Sequence, residues 1–233
     1  MANDINFFER ISEFMGVAEN DPHHSNFSWD YCYLFFQKYR QLPSQERDSK
    51  MELACLHLGF FLASWGMFRG RAFLRSKTYT VYKPVITAIM DMKFNCLWNI
   101  IDKQWLADNE VVKDIIKLIP CLKTAICNAF TNNINGQQGI PKVSDTLVTK
   151  IMLGTIGCSP AYDRYFCAGL QLHKITPRRF NCQSLKNILA FCRNNVLSMD
   201  EIRQQMKDLP TICPIANIPF MKIIDMYFHL EGR

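Results

Sequence analysis

Two lysines and one aspartate between residues 136 and 166 have the types and the spacing to do chemistry on a sugar. Lys142 lies 21 residues before Asp163, and Lys150 lies 13 residues before it. A lysine in the first turn of a helix faces the positive end of the helix dipole, which makes its neutral form less costly and its amine a better nucleophile. A nearby carboxylate can stabilise positive charge on the sugar or move a proton. Spacing alone does not decide between Lys142 and Lys150.

Turns that contain glycine and proline precede these groups. Residues 139–141 (GIP) come directly before Lys142, and residues 157–160 (GCSP) come shortly before Asp163. This pattern resembles the helix-hairpin-helix DNA glycosylase superfamily, in which a glycine-rich hairpin binds a DNA phosphate, a lysine follows on the next helix, and a catalytic aspartate comes later, after a proline. Pro141 stands where the hairpin's second glycine is expected, and proline offers no N–H to a phosphate.

The resemblance implies a DNA-binding protein that either removes bases or binds DNA without chemistry. It implies that Gly139 contacts a phosphate. It also implies that Lys142 is the nucleophile or, in a shorter-spaced variant of the superfamily, Lys150, with Asp163 as its partner. The target base would be flipped out of the duplex to reach such a pair. The same segment also has a structural interpretation, in which Ser159 caps a helix and Asp163 lies in its first turn.

Basic residues are concentrated in two stretches that contain no acidic residue. Five lie between residues 65 and 90, and six lie between residues 164 and 199, in a chain of net charge +6. If both stretches fold onto one surface, they form a patch that attracts phosphate. The alternative is a pair of solvated helix ends. The arginines that we expect at a DNA-binding surface are Arg69, Arg71, Arg75, Arg178 and Arg179.

Sequence signatures of other enzyme classes are absent. The chain contains no GxxxxGK[ST], GxGxxG, GxSxG or HExxH motif. Its five histidines are scattered and its ten cysteines form no Cys-x-x-Cys pair, so we expect neither a metal site nor a cofactor. Most of the cysteines lie in apolar runs, which favours buried, reduced thiols.

The pattern of apolar residues predicts the fold class. These residues recur at helical spacing along most of the chain, and strand signals are nearly absent. We therefore expect one all-α domain over residues 1–233, with about eight to ten helices. Helices are predicted at residues 181–195 and 218–230, among others, and Pro120 should kink or split a helix over residues 111–131. The polar stretch at residues 132–141 is either a functional loop or a boundary between two lobes. An apolar helix from Ser44 to about Leu74 should lie at the centre of the bundle. The residues that we expect it to bury are Leu56, Phe60, Leu62, Trp65 and Phe68.

The N-terminal sequence and the longest uncharged run bear on location. Residues 1–14 lack a basic start followed by an apolar core, and the 16-residue run Leu53–Phe68 is too short for a membrane span. We therefore expect a cytoplasmic protein with no membrane partner. Residues 58–71 together with residues 154–166 also look like a family of bacterial helical proteins. That resemblance implies a bacterial cytoplasmic protein and no particular activity.

Two other functions fit the same residues. A non-enzymatic interaction protein, as in bacterial stress or phage defence, would use the basic stretches to bind an acidic protein partner. A small-molecule binder would be lined by Trp65, Met67 and Phe68. DNA binding by a protein of the helix-hairpin-helix glycosylase type is the first hypothesis.

Overall fold

The secondary structure is helical. A computed structural model describes residues 7–16, 21–70, 72–99, 109–132, 143–195, 199–208, 212–214 and 217–233. No strand occurs in these ranges, so the expectation of an all-α protein is confirmed. The α-helices are α1 (Phe7–Gly16), α2 (Phe27–Tyr39), α3 (Ser44–Ser49), α4 (Met51–Ser64), α5 (Lys83–Ile89), α6 (Asn109–Asn132), α7 (Asp145–Thr155), α8 (Arg164–Leu172), α9 (Cys182–Asn195), α10 (Met199–Met206) and α11 (Phe220–Glu231). Short 3₁₀ helices span Phe73–Ser76, Tyr79–Tyr82 and Met92–Asn99.

Helix α11 is almost entirely buried. Every residue from Phe220 to Phe228 is buried, and the helix packs against α1 and α8. The approach of α8 is very close, since a Cβ atom at Gly169 would lie 2.1 Å from the Phe228 carbonyl oxygen. Helix α11 also carries two charged side chains, Lys222 and Asp225, into the core.

The single helix expected over residues 44–74 is not continuous. Helix α3 is followed by α4, and α4 ends at Ser64 because Gly66 adopts a left-handed conformation with φ +79°. The Met67 N–H then donates a hydrogen bond to the Leu62 carbonyl oxygen at 2.8 Å, which completes a Schellman turn. The prediction of one long helix was therefore wrong.

Burial along α4 also differs from the expectation. Leu62 is buried, and Trp65 and Phe68 are half-buried. Leu56 and Phe60 are 50% and 67% exposed, so α4 lies at the side of the bundle with an apolar face in contact with solvent. The prediction that Leu56 and Phe60 are buried was wrong, because an apolar composition around a helix does not determine which of its faces the neighbouring helices cover.

Helix α7 packs against α2, α4 and α6, and it places Lys150 in the core. Its N-terminus is capped by Ser144, whose Oγ accepts a hydrogen bond from the Leu147 N–H at 3.2 Å. All residues of α7 from Leu147 onward are buried. A Cβ atom at Gly154 would lie 2.3 Å from the Phe61 ring, so glycine is needed where α4 crosses α7.

Two further expectations concern single segments. Residues 133–142 lie outside the described part of the chain, and with them most of the expected lobe boundary. Helix α6 contains Pro120 and continues on both sides of it, so this proline does not split the helix.

Within the described ranges, no helix combines the length and the apolar character needed to cross a bilayer.

Candidate active site

A cavity of about 450 Å³ lies where α7, the start of α8 and the C-terminal ends of α4 and α11 meet. This volume is within the ~300–1,000 Å³ typical of small-ligand sites. The described lining combines aromatic rings, basic side chains and one carboxylate. Its residues are Phe14, His24, Ser25, Asn26, Ser64, Trp65, Gly66, Met67, Arg69, Thr146, Lys150, Asp163, Arg164, Tyr165, His229 and Arg233.

Lys150 and Asp163 meet in this cavity. The Lys150 Nζ atom lies 3.6 Å from Asp163 Oδ2, and the two side chains are 7% and 15% exposed. Lys150 belongs to α7, and Asp163 directly precedes α8. The structure therefore brings together the shorter-spaced of the two lysine–aspartate pairs. Lys142 and Gly139 lie outside the described residues.

The Lys150 amine contacts the C-terminal end of α4. It donates a hydrogen bond to the Trp65 carbonyl oxygen at 2.7 Å. Trp65 follows the last residue of α4, where carbonyl groups lack partners within the helix and the helix dipole is negative. Burial lowers the pKa of Lys150, although the Asp163 and Asp225 charges oppose this effect. The lowered pKa makes the neutral, nucleophilic amine easier to form.

Asp163 is the N-cap of α8. One carboxylate oxygen accepts a hydrogen bond from the Phe166 N–H at 3.0 Å, and the other lies 3.7 Å from His229 Nδ1. Burial by itself raises the pKa of Asp163, but these two contacts and the Lys150 ammonium outweigh burial and lower the pKa to about 2. Asp163 is therefore ionised at neutral pH and is suited to stabilise positive charge.

An irregular segment separates α7 from α8, and hydrogen bonds to α7 and α11 hold its last residues. The bonds are Ala161 N–H to Asp225 Oδ1 (2.9 Å), Tyr162 N–H to Thr149 Oγ1 (2.9 Å) and Thr146 Oγ1 to the Tyr162 carbonyl oxygen (2.8 Å). They hold Asp163 in place beside Lys150. Ser159 donates to the Pro160 carbonyl oxygen instead of capping a helix, because α8 begins only at Arg164. The structural interpretation of Ser159 as an N-cap was wrong.

A second buried pair lies behind Trp65. The Lys222 Nζ atom is 3.6 Å from Asp225 Oδ2, and both side chains are almost fully buried. Among the described residues no group accepts a hydrogen bond from this ammonium, which lies 4.3 Å from the Trp65 ring centroid, 4.9 Å from that of Phe14 and 5.2 Å from that of Trp29. Burial lowers the pKa of Lys222 and raises the pKa of Asp225. The sequence signal for this pair is slight: two opposite charges, three residues apart, inside an apolar helix.

The arginines expected at a DNA-binding surface occupy different places. Arg69, Arg75, Arg178 and Arg179 are all exposed. Arg69 lines the cavity, whereas the other three do not belong to the described lining. Arg71 lies outside the described residues. A single basic surface that joins these arginines stays a prediction.

The cavity also contains functional groups that the sequence did not single out. Arg164 and Arg233 line it from the start of α8 and from the last residue of the chain. Of the residues proposed for a small-molecule binder, Trp65 and Met67 line the cavity, whereas Phe68 is absent from the described lining. Neither arginine stands in a recognisable motif, so only their positions in the fold reveal them.

Comparison with known proteins identifies no similar protein. The chain matches no protein-family model, no curated protein and no solved structure. The fold and the site therefore define the class: an all-α protein with a buried lysine–aspartate pair in a cavity of small-ligand size.

Proposed function

We propose that this protein is a DNA-binding enzyme of the helix-hairpin-helix glycosylase and lyase type, in which Lys150 is the nucleophile and Asp163 assists it. The observation that carries this proposal is the 3.6 Å separation of Lys150 Nζ and Asp163 Oδ2 inside a cavity. A nucleophile and a carboxylate that act on one sugar must lie within a few ångströms of each other. Lys150 and Asp163 meet this requirement.

The chemistry follows from the protonation states of the two groups. The neutral Lys150 amine attacks C1′ of the nucleotide, and the bond from C1′ to the base breaks. The base leaves with the electron pair and takes up a proton. The attacking nitrogen then loses a proton, and the C1′–O4′ bond of the sugar ring breaks. O4′ leaves with the electron pair and takes up a proton from solvent, which gives a protonated imine between Lys150 and C1′. Asp163, whose pKa of about 2 keeps it ionised, stabilises the positive charge that develops on the sugar.

The surroundings of the pair suit a flipped-out nucleotide. Trp65 and Tyr165 line the cavity and offer rings on which a base can stack. For the sugar to enter, the Lys150 amine exchanges its hydrogen bond to the Trp65 carbonyl oxygen for a bond to the substrate.

Borohydride trapping tests the proposal. Reduction of the imine links the protein covalently to a duplex that contains one abasic site, and gel electrophoresis detects the adduct. We expect Lys150→Gln to abolish the adduct, because the amide is not a nucleophile, while DNA binding changes little. Lys142→Gln is the matched control and should leave trapping intact.

Three results would contradict the proposal in different ways. Loss of trapping in Lys142→Gln but not in Lys150→Gln would assign the chemistry to the longer-spaced pair. DNA binding without any adduct would leave a protein that binds DNA without this chemistry. Absence of both would favour the interaction protein with an acidic partner.

A further inference from the structure

Three arginines from separate parts of the chain line the same cavity. Arg69 lies in the turn after α4, Arg164 is the first residue of α8, and Arg233 follows α11. Asp163 is the one acidic residue in the described lining, and it already contacts Lys150. No carboxylate of a described residue forms an ion pair with any of the three arginines. The cavity therefore presents positive charge that the described residues do not neutralise.

Local backbone features bring two of these arginines to the cavity. Gly66 has a φ value of +79°, and a Cβ atom there would lie 3.4 Å from Arg69 Nε, so the turn after α4 brings the Arg69 side chain against Gly66. Gly232 lets the chain end pass against α8, because a Cβ atom there would lie 1.9 Å from the Tyr165 carbonyl oxygen. The next residue, Arg233, is thereby placed at the cavity.

Arg164 is held by its aromatic neighbour. Its guanidinium donates a hydrogen bond to Tyr165 Oη at 2.7 Å and lies 4.6 Å from the Tyr165 ring centroid. A guanidinium in this position keeps other N–H groups free to donate, since it carries five N–H donors. Planar guanidinium groups bind phosphate oxygens in pairs, which makes arginine a better phosphate ligand than lysine.

We propose that Arg69, Arg164 and Arg233 form a phosphate subsite, so that the cavity takes one nucleotide with its base beside Trp65 and its phosphate on the three arginines. This inference rests on the proposed function, because it names the substrate of the same site. The shared chemistry is a nucleotide phosphate. Its source is either a phosphodiester within a DNA strand or the monoester of a free nucleotide.

Isothermal titration calorimetry measures binding at the subsite independently of catalysis. The ligands are deoxyguanosine, deoxyguanosine 5′-monophosphate and the single strand d(TTGTT), titrated into Lys150→Gln protein so that the proposed chemistry cannot act on them. We expect the monophosphate to bind at least about tenfold more tightly than the nucleoside, because one hydrogen bond between charged groups contributes roughly that factor. Arg164→Gln and Arg233→Gln should each remove about threefold to tenfold of this gain. The variant with all three arginines changed to Gln should remove the gain entirely.

Lys38→Gln provides the control, since Lys38 is exposed on α2, lies outside both basic stretches and does not belong to the described lining. Equal binding of nucleoside and monophosphate, no binding of either, or an equal loss of affinity in Lys38→Gln would overturn the subsite. Circular dichroism of each variant checks that the helical content is unchanged.

Titration with the single strand d(TTGTT) identifies the source of the phosphate. If d(TTGTT) binds at least as tightly as the monophosphate and loses affinity in the same variants, the subsite accepts phosphodiesters. If the monophosphate binds and the strand does not, the subsite stands but the proposed action on DNA is wrong. Failure of borohydride trapping with normal titration results would likewise reject the proposed chemistry and leave the subsite in place.

Discussion

Lys150 and Asp163 are both buried, and burial disfavours the charged form of each. For Lys150 burial lowers the pKa, whereas for Asp163 the contacts with His229, the Phe166 N–H and Lys150 outweigh burial. The two groups therefore differ in role. The lowered pKa makes it easier for the Lys150 amine to lose its proton, whereas the Asp163 carboxylate stays ionised.

Asp163 contributes stability that depends on pH. Its folded-state pKa of about 2 is below the ordinary 3.8, so the contribution is present above pH 3.8 and is lost as the pH falls from about 4 to 2. One pKa unit corresponds to about 1.4 kcal/mol, which gives about 2 kcal/mol at neutral pH. We expect Asp163→Asn, which retains a cap for Phe166, to lower the free energy of unfolding by that amount at pH 7 and by almost nothing at pH 2. Urea unfolding at both pH values measures this difference, and a penalty independent of pH would rule out the charge as its cause.

Lys222 and Asp225 neutralise each other in the core. Lys222→Met leaves the Asp225 carboxylate buried without its partner, and we expect a loss of about 3 kcal/mol at pH 7. The loss should shrink as the pH falls, because Asp225, whose pKa burial already raises, then takes up a proton. The double variant Lys222→Met/Asp225→Asn keeps an acceptor for the Ala161 N–H and should recover most of the stability. Thermal unfolding of the three proteins tests this, and a double variant no more stable than the single one would contradict it.

At the scale of elements, the contact between α8 and α11 positions both the N-cap Asp163 and the arginine at the chain end. It depends on glycine where the two helices cross, because a Cβ atom at Gly169 would lie 2.1 Å from the Phe228 carbonyl oxygen. A backbone atom cannot move aside as a flexible side chain can. This crossing therefore tolerates no larger residue without displacement of a helix.

Gly169→Ala tests the crossing. We expect a loss of about 3 kcal/mol in the free energy of unfolding, since overpacking outweighs the ~1 kcal/mol gain in helix propensity. Gly16→Ala is the matched control: no atom lies within 4 Å of a Cβ there, and the substitution should be neutral or slightly stabilising. Urea denaturation with equal m-values measures both. A Gly169→Ala protein as stable as the wild type would show that α8 and α11 can separate at little cost.

At the scale of the whole molecule, the net charge of +6 and the two acid-free basic stretches favour binding to a polyanion. Duplex binding, measured by fluorescence anisotropy, should weaken steeply as the salt concentration rises. We expect Arg178→Glu and Arg179→Glu to weaken it further and to reduce the salt slope by about one for each phosphate that the variant no longer neutralises. Lys93→Glu, outside both stretches, is the control. Equal effects of all three substitutions would mean that Arg178 and Arg179 form no dedicated DNA surface.

Much of the helical structure is determined locally. Apolar spacing and turn residues predicted helices at residues 181–195 and 218–230, and the structure has them at Cys182–Asn195 and Phe220–Glu231. Such signals involve residues within one or two helical turns of each other, so they can be read from the sequence without knowledge of the fold. The same local spacing gave two candidate lysines for Asp163 and could not choose between them.

What the sequence by itself determined is therefore the all-α class, several helix boundaries and a short set of reactive residues. Tertiary structure alone decided that α11 is buried whereas α4 exposes one apolar face. It also decided that Lys150 bonds to Trp65, 85 residues away, and that Asp225 holds Ala161, 64 residues away. It also decided that Arg164 and Arg233 share a cavity. The physical reason is that these contacts depend on which helix faces pack together. The periodicity of apolar residues within one helix does not specify which distant helix packs against it.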